Sequence, residues 1–163
     1  MIEQLKQWVF SDATRLRRFM NVWPPFLFAG IYIQELSDDF SRCKVKLRAW
    51  PATRNVNGSQ FGGNLFAMTD PVYPLMLLGI FGKQYFVWDK EATIEFIKPA
   101  YQAAYFECHL LPEKIAQIKA ACNDGDKHFP VLENHIVDAN GQVIAKVKRT
   151  LYIRLKPEYR RQD

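Results

Sequence analysis

The stretch NVNGSQFGGNLFAMTDP, residues 55–71, decides how this chain is read. The paired glycines Gly62 and Gly63 open an apolar run, the aspartate Asp70 sits inside it, and Pro71 follows at once. From Leu65 to Leu78 the run has almost no polar face. A helix that is apolar all round is a buried one, so residues 64–82 are predicted to form a central helix. Pro71 and Pro74 would remove the bonds to the carbonyls of Ala67 and Asp70, which predicts a kink or break beside Asp70. A buried carboxylate without partners is costly. Asp70 must therefore act, bind or pair, or it caps a second helix beginning at Pro71, since Asp then Pro suits an N-cap and first helical position. The two roles are compatible.

Strand patterns flank this helix. In RCKVKLRAW, residues 42–50, Cys43, Val45, Leu47 and Ala49 alternate with Arg42, Lys44, Lys46 and Arg48, the period of a half-buried strand. Residues 85–98 and 104–111 read as two more strands, with Pro99 in their connection, and residues 112–122 as a helix. Residues 129–138 and 142–156 form a hairpin around Asp138-Ala139-Asn140-Gly141. The inward face of its second strand runs through Val143, Ala145, Val147, Leu151, Ile153 and Leu155, interrupted only by Arg149. Toward the N-terminus, residues 11–21 read as a helix with Ser11 or Asp12 near its start, ending before Trp23-Pro24-Pro25, and residues 2–9 as a short amphipathic turn. The class is α+β: an antiparallel sheet wrapped around one central helix.

The chain has 163 residues, enough for one domain with a sizeable core. It is read as a single unit over 1–163, with a helical lead over 1–27 and a loose basic tail over 157–163. The start MIEQLKQWVF lacks the pattern of a secretory signal, and no run is read as a membrane span. Cys43, Cys108 and Cys122 are odd in number without CxxC spacing, which suggests neither a disulfide framework nor a metal site; a reducing cytoplasm is the expected location. The net charge of +5 and pI near 9.1 permit an anionic partner. Without an RNP signature, zinc-finger spacing or helix-turn-helix, nucleic acid is not the expected one. The basic rows Arg42 to Arg48 and Lys146 to Lys156 suit the phosphates of a phosphorylated cofactor, or else a solvated face paired with acids such as Glu95 and Glu107.

The order of elements around residues 55–71 resembles the hotdog fold of the acyl-CoA thioesterase superfamily over about residues 28–156. FGGNLFAMTDPVYPLMLLG followed by VWDKEATIEFIKPA looks like a thioesterase-like branch known mainly as a domain of unknown function, close to the phenylacetate-type thioesterases. The pattern of that latter branch is matched by Asn55, Gly58, Gly62, Gly63 and Asp70 at the right spacings, while Phe61 stands where those enzymes carry histidine.

The resemblance implies an acyl-CoA thioesterase. Its roles fall on Asp70 as general base or nucleophile, on the N–H of Gly62 as oxyanion donor with Gly63 as helper, and on Asn55 as an orienting group. Phe61 and Asp89 are expected to contact substrate. Each also has a structural reading: a strand-to-helix turn for the glycines, a loop turn for Asn55, a cation partner for Asp89. The replacement of histidine by Phe61 keeps open a second function, a non-catalytic hotdog module that binds acyl thioesters or an apolar ligand. No cofactor or metal is expected. Eight residues of helix rise about 12 Å, too far for Gly62 and Asp70 of one chain to address one carbonyl. A complete site therefore takes Asp70 from a partner, which predicts a homodimer or homotetramer.

Overall fold

The computed structural model describes residues 2–160. Two helices lead, α1 (Ile2–Phe10) and α2 (Ala13–Val22). The side chain of Asp12 caps α2 by accepting from the N–H of Arg15 at 2.7 Å, which satisfies an otherwise orphaned donor. The helix stops at Trp23, as expected, but Pro24 and Pro25 then open a further helix, α3 (Pro24–Ala29). Proline at a first helical position loses only an N–H that had no partner, so the pair that ends one helix begins the next. Gly30, with φ of 73°, closes α3 and turns the chain into the sheet.

The sheet contains β1 (Ile31–Leu36), β2 (Arg42–Leu47), β3 (Tyr85–Phe96), β4 (Ala104–His109), β5 (Val131–Asp138) and β6 (Val143–Leu155). Its order is β1-β2-β4-β5-β6-β3, antiparallel throughout. The alternation in β2 extends only to Leu47, and the chain leaves the sheet before Pro51. Cys43, Val45 and Leu47 face the core. The lysines on the other face pair across strands, Lys44 with Glu107 at 3.9 Å and Lys146 with Glu95 at 3.7 Å. The basic rows thus form a solvated face laced with acids. The two outer strands differ. The edge of β1 is covered by α2, whose Asn21 side chain both donates to and accepts from the backbone of Ile33; β3 ends the sheet, with no strand on its outer side among the described residues.

The sheet curls around the central helix, which is in two pieces, α4 (Gly62–Ala67) and α5 (Val72–Phe81). It begins two residues earlier than predicted and breaks where the prolines require. Over the break the N–H groups of Thr69, Asp70 and Val72 bond three residues back, to Phe66, Ala67 and Thr69. Leu75 resumes the helical pattern by bonding to Pro71. Val72, Tyr73, Met76, Leu77 and Phe81 enter the core. By length and composition Gly62–Gln84 is long and apolar enough to cross a membrane, a test that a core helix also meets. The break and the packing against the sheet identify it as a core helix.

A last helix, α6 (Pro112–Ala121), buries Ile118. The tail is not loose as far as Arg160: Pro157–Tyr159 form a helical turn, and the Arg160 guanidinium donates twice to the carbonyl of Leu155. Residues 161–163 lie outside the described residues.

Candidate active site

The motif forms two clusters at opposite ends of α4. The first is the loop that leads into it. Asn55 organises this loop: its Oδ1 accepts from the N–H groups of Asn57 and Ser59, and its Nδ2 donates to Ser59 Oγ at 2.8 Å. Both ends of the amide are therefore engaged within the loop. Gly58 occupies φ of 75° at the turn. Gly62 and Gly63 do not use positive φ, so what their missing Cβ atoms provide is room for two neighbouring rings and not handedness. A Cβ on Gly63 would lie 2.3 Å from the Phe61 ring, and one on Gly62 would lie 3.0 Å from Phe96. Phe61 covers the backbone of Gly63 while remaining 53% exposed. The N–H groups of Gly62 and Gly63, at the start of α4, have no acceptor among the described residues.

Asn55, Ser59, Gln60 and Gly62 line a cleft of about 370 Å³ against Phe96–Ala100. Gln60 was not singled out from sequence. It is buried, and its Nε2 donates to the carbonyls of Arg48 and Gln102 at 2.9 and 3.1 Å. Those two acceptors fix which way the amide points, leaving Oε1 buried without a partner. An unpaired buried acceptor carries a free-energy cost, borne here by a residue that lines the cleft.

The second cluster lies at the break. Arg149, on β6, has a side chain with no exposure and projects inward beneath the helix. Its Nη1 donates to Asp70 Oδ1 at 3.1 Å and its Nη2 to Thr69 Oγ1 at 3.0 Å. Nη1 also lies 3.1 Å from Asp89 Oδ1. That contact is Coulombic, because it lacks the alignment of a hydrogen bond. The guanidinium carbon sits 5.2 Å from the centre of the Phe66 ring.

Asp89 reaches this place through a bulge. β3 pairs Asp89 with Leu151 and then Glu91 with Thr150, so Lys90 is the extra residue. Before it Tyr85, Val87 and Asp89 share the inner face; after it Ala92 and Ile94 do. A bulge of this kind re-aims side chains. Burial pushes the Asp89 carboxyl above its ordinary range; Arg149 opposes the rise and the charge of Asp70 adds to it. Asp70 itself has a side chain 66% exposed. Asp70 thus sits at the break as the exposed partner of a buried cation.

A larger cavity of about 530 Å³ lies at the other end of α5, between Leu78, Tyr85 and Val87, with Lys83 and Lys156 on its rim. It does not touch the motif. Among the described residues no group of three or more His, Cys, Asp or Glu is placed to hold a metal ion. All three cysteines are free and buried.

The model of a family described as a domain of unknown function, DUF4442, matches residues 10–153. Compared by sequence with curated proteins, the chain matches none. Solved structures are similar. One is a Pseudomonas aeruginosa protein of unknown function described as a probable thioesterase, with TM-score 0.79 and 23% identity over 88% of this chain and 96% of that one. Another is the Haemophilus influenzae thioesterase HI1161, with TM-score 0.64 and 12% identity over 86% and 89%. A third is the Escherichia coli PaaI protein of the phenylacetic acid degradation operon, with TM-score 0.61 and 15% identity over 93% and 95%. At these identities the likeness establishes the fold, a hotdog.

Proposed function

Because the chain belongs to the DUF4442 family and carries the hotdog fold, we propose that it is a thioester hydrolase acting on an acyl-CoA or a related thioester. One observation carries this reading. An exposed aspartate at the helix break lies eight positions after the first of two glycines whose N–H groups have no acceptor among the described residues, the spacing of the thioesterases the motif resembles.

In the proposed reaction Asp70 takes a proton from water as the water oxygen adds to the thioester carbonyl carbon. Its Oδ2, which has no partner among the described residues, is the oxygen free to do so. The N–H of Gly62, with Gly63 beside it, accommodates the oxyanion; a donor of this kind contributes about 3–4 kcal/mol in acyl transfer. Collapse of the intermediate expels the thiolate, which recovers the proton from Asp70 and leaves as thiol beside the free acid. A direct attack by Asp70 through an anhydride uses the same groups. Asn55 shapes the loop. Phe61 and the cleft face the acyl thioester, and Asp89 flanks the base.

The two halves of the site are too far apart along the helix to serve one carbonyl from one chain, so we propose a homodimer, with a dimer of dimers as its extension. The uncovered outer edge of β3 is the surface through which two copies would join about a two-fold axis. Three buried thiols suit a reducing cytoplasm.

A second reading, a non-catalytic module for acyl thioesters or an apolar ligand, is favoured by Phe61 in the place of a polar residue and by the larger apolar cavity. Thiol release from a panel of acyl-CoAs, measured for the wild type and Asp70→Asn together, separates the two. Cleavage lost in the variant supports the hydrolase; tight binding without cleavage by the wild type supports the module.

A further inference from the structure

We propose that Arg149 is a positioning residue of this site, a buried hub that holds the carboxylates of Asp70 and Asp89 together at the break in the central helix. The proposal rests on Asp70 being the working carboxylate, and it adds a residue that lies on the far side of the fold in sequence.

The geometry is that of a clamp. One guanidinium meets Thr69 and Asp70 at the helix break through separate nitrogens, takes the ring of Phe66 from the preceding turn on its face, and reaches Asp89 on β3. The Thr69 hydroxyl is itself oriented, since it donates to the carbonyl of Phe66 while accepting from Arg149. The three residues of the helix that Arg149 touches are those that determine where the Asp70 side chain leaves the backbone.

Core stability does not account for this arrangement. Ala145, Val147, Leu151, Ile153 and Leu155 fill every neighbouring inward position of β6 with apolar groups. A buried ion pair is often no more stable than apolar packing of similar volume. This one leaves the Arg149 Nε buried without a partner and divides Nη1 between two carboxylates. Fixed placement of two acids is what the guanidinium supplies and an aliphatic side chain would not.

The titratable groups that face the cluster are Asp70 from the break, Asp89 from β3, Tyr73 from α5 and Cys108 from β4. Burial keeps the last two protonated. Asp89 is therefore the group of this cluster whose titration reports the cation beside it.

The test is a carboxylate titration by carbon-13 NMR on the full-length wild type, Arg149→Met, Arg149→Lys and Asp70→Asn, with hydrolysis followed alongside. Removing the cation should raise the midpoint of Asp89 further, because Arg149 now opposes its rise. Asp70→Asn should lower that of Asp89, because one like charge is gone. Arg149→Lys retains the charge but not the fork, so kcat should fall about tenfold with KM little changed. An Asp89 midpoint that does not move in Arg149→Met, in a protein that merely melts at lower temperature, would overturn the proposal. If Arg149→Met does not fold, Arg149→Lys and Asp70→Asn decide: unchanged kcat in the first and an unmoved Asp89 in the second defeat it. A wild type that cleaves no thioester leaves the titration readable, so the hydrolase reading and the clamp fail separately.

Discussion

The guanidinium of Arg149 and the carboxylate of Asp70 meet at 3.1 Å across 79 positions of sequence, the first with no exposed surface and the second largely in solvent. The contact joins the last strand of the sheet to the broken point of the central helix. It ties the acid to the core on one oxygen and leaves the other facing outward.

That arrangement predicts how Asp70→Asn behaves. Arg149 keeps Asp89 and Thr69 as partners, and an amide oxygen can still accept from Nη1, so the fold should persist with a small drop in Tm. If Asp70 is the proposed base, hydrolysis should fall about 10²-fold or more. Thiol-release kinetics with a thermal melt on the same sample check both halves.

Gln60→Glu probes the other cluster. The new oxygen would confront the carbonyls of Arg48 and Gln102, where the amide now donates twice. Loss of those bonds in a buried site should cost about 2–4 kcal/mol at neutral pH. The introduced carboxyl can relieve the conflict by holding its proton, so its folded pKa is raised. Its penalty is then absent below the unfolded value and grows as pH rises through the folded one. Urea melts of this variant should therefore show a larger deficit at pH 7 than at pH 4.

Much of the fold is legible in the residues themselves. Period-two alternation in residues 42–47 and 143–155 marks strands because one face of each meets the core and the other meets water. The all-apolar run marks the central helix, and its prolines mark the break. Pro24-Pro25 is ambiguous for a physical reason: proline stops a helix and equally well starts one. Of the candidate site, Gly62, Asn55 and Asp70 are singled out by a spacing pattern, whereas Gln60 and Arg149 are not. Arg149 is visible only as a wrong letter in an apolar alternation. Its partners depend on tertiary register and on a bulge at Lys90 that no local pattern announces. The same bulge settles the facing of Asp89, which its neighbours Val87 and Thr93 leave open.

The connection between β1 and β2 carries an acid-sensitive lock. Asp39 accepts from the hydroxyl of Ser37 and from the N–H and hydroxyl of Ser41, which brings its pKa down to about 2. A lowered folded pKa means that the stabilisation is present above the unfolded value near 3.8 and is lost as pH falls toward 2. Asp39→Asn should therefore remove part of the difference in Tm between pH 5 and pH 2.5, and differential scanning calorimetry at those two values measures it. The group is exposed, so the change should be small.

A site divided between subunits makes a prediction that a site within one chain does not. Asp70→Asn lacks the base; Gly62→Val crowds the helix start against Phe96, where even a Cβ would lie at 3.0 Å. Each homodimer alone should be inactive or nearly so. If each site pairs Gly62 of one chain with Asp70 of the other, a heterodimer of the two variants has one intact site and one with both defects. Random re-association of equal amounts puts half the protein in heterodimers, so activity should return to about a quarter of wild type. If both groups served the site from one chain, every site in the mixture would keep a defect and nothing would return. Mixing after mild denaturant, with light scattering to verify that dimers form, reads the outcome directly. Recovery near a quarter supports the shared site; no recovery in verified heterodimers sinks it.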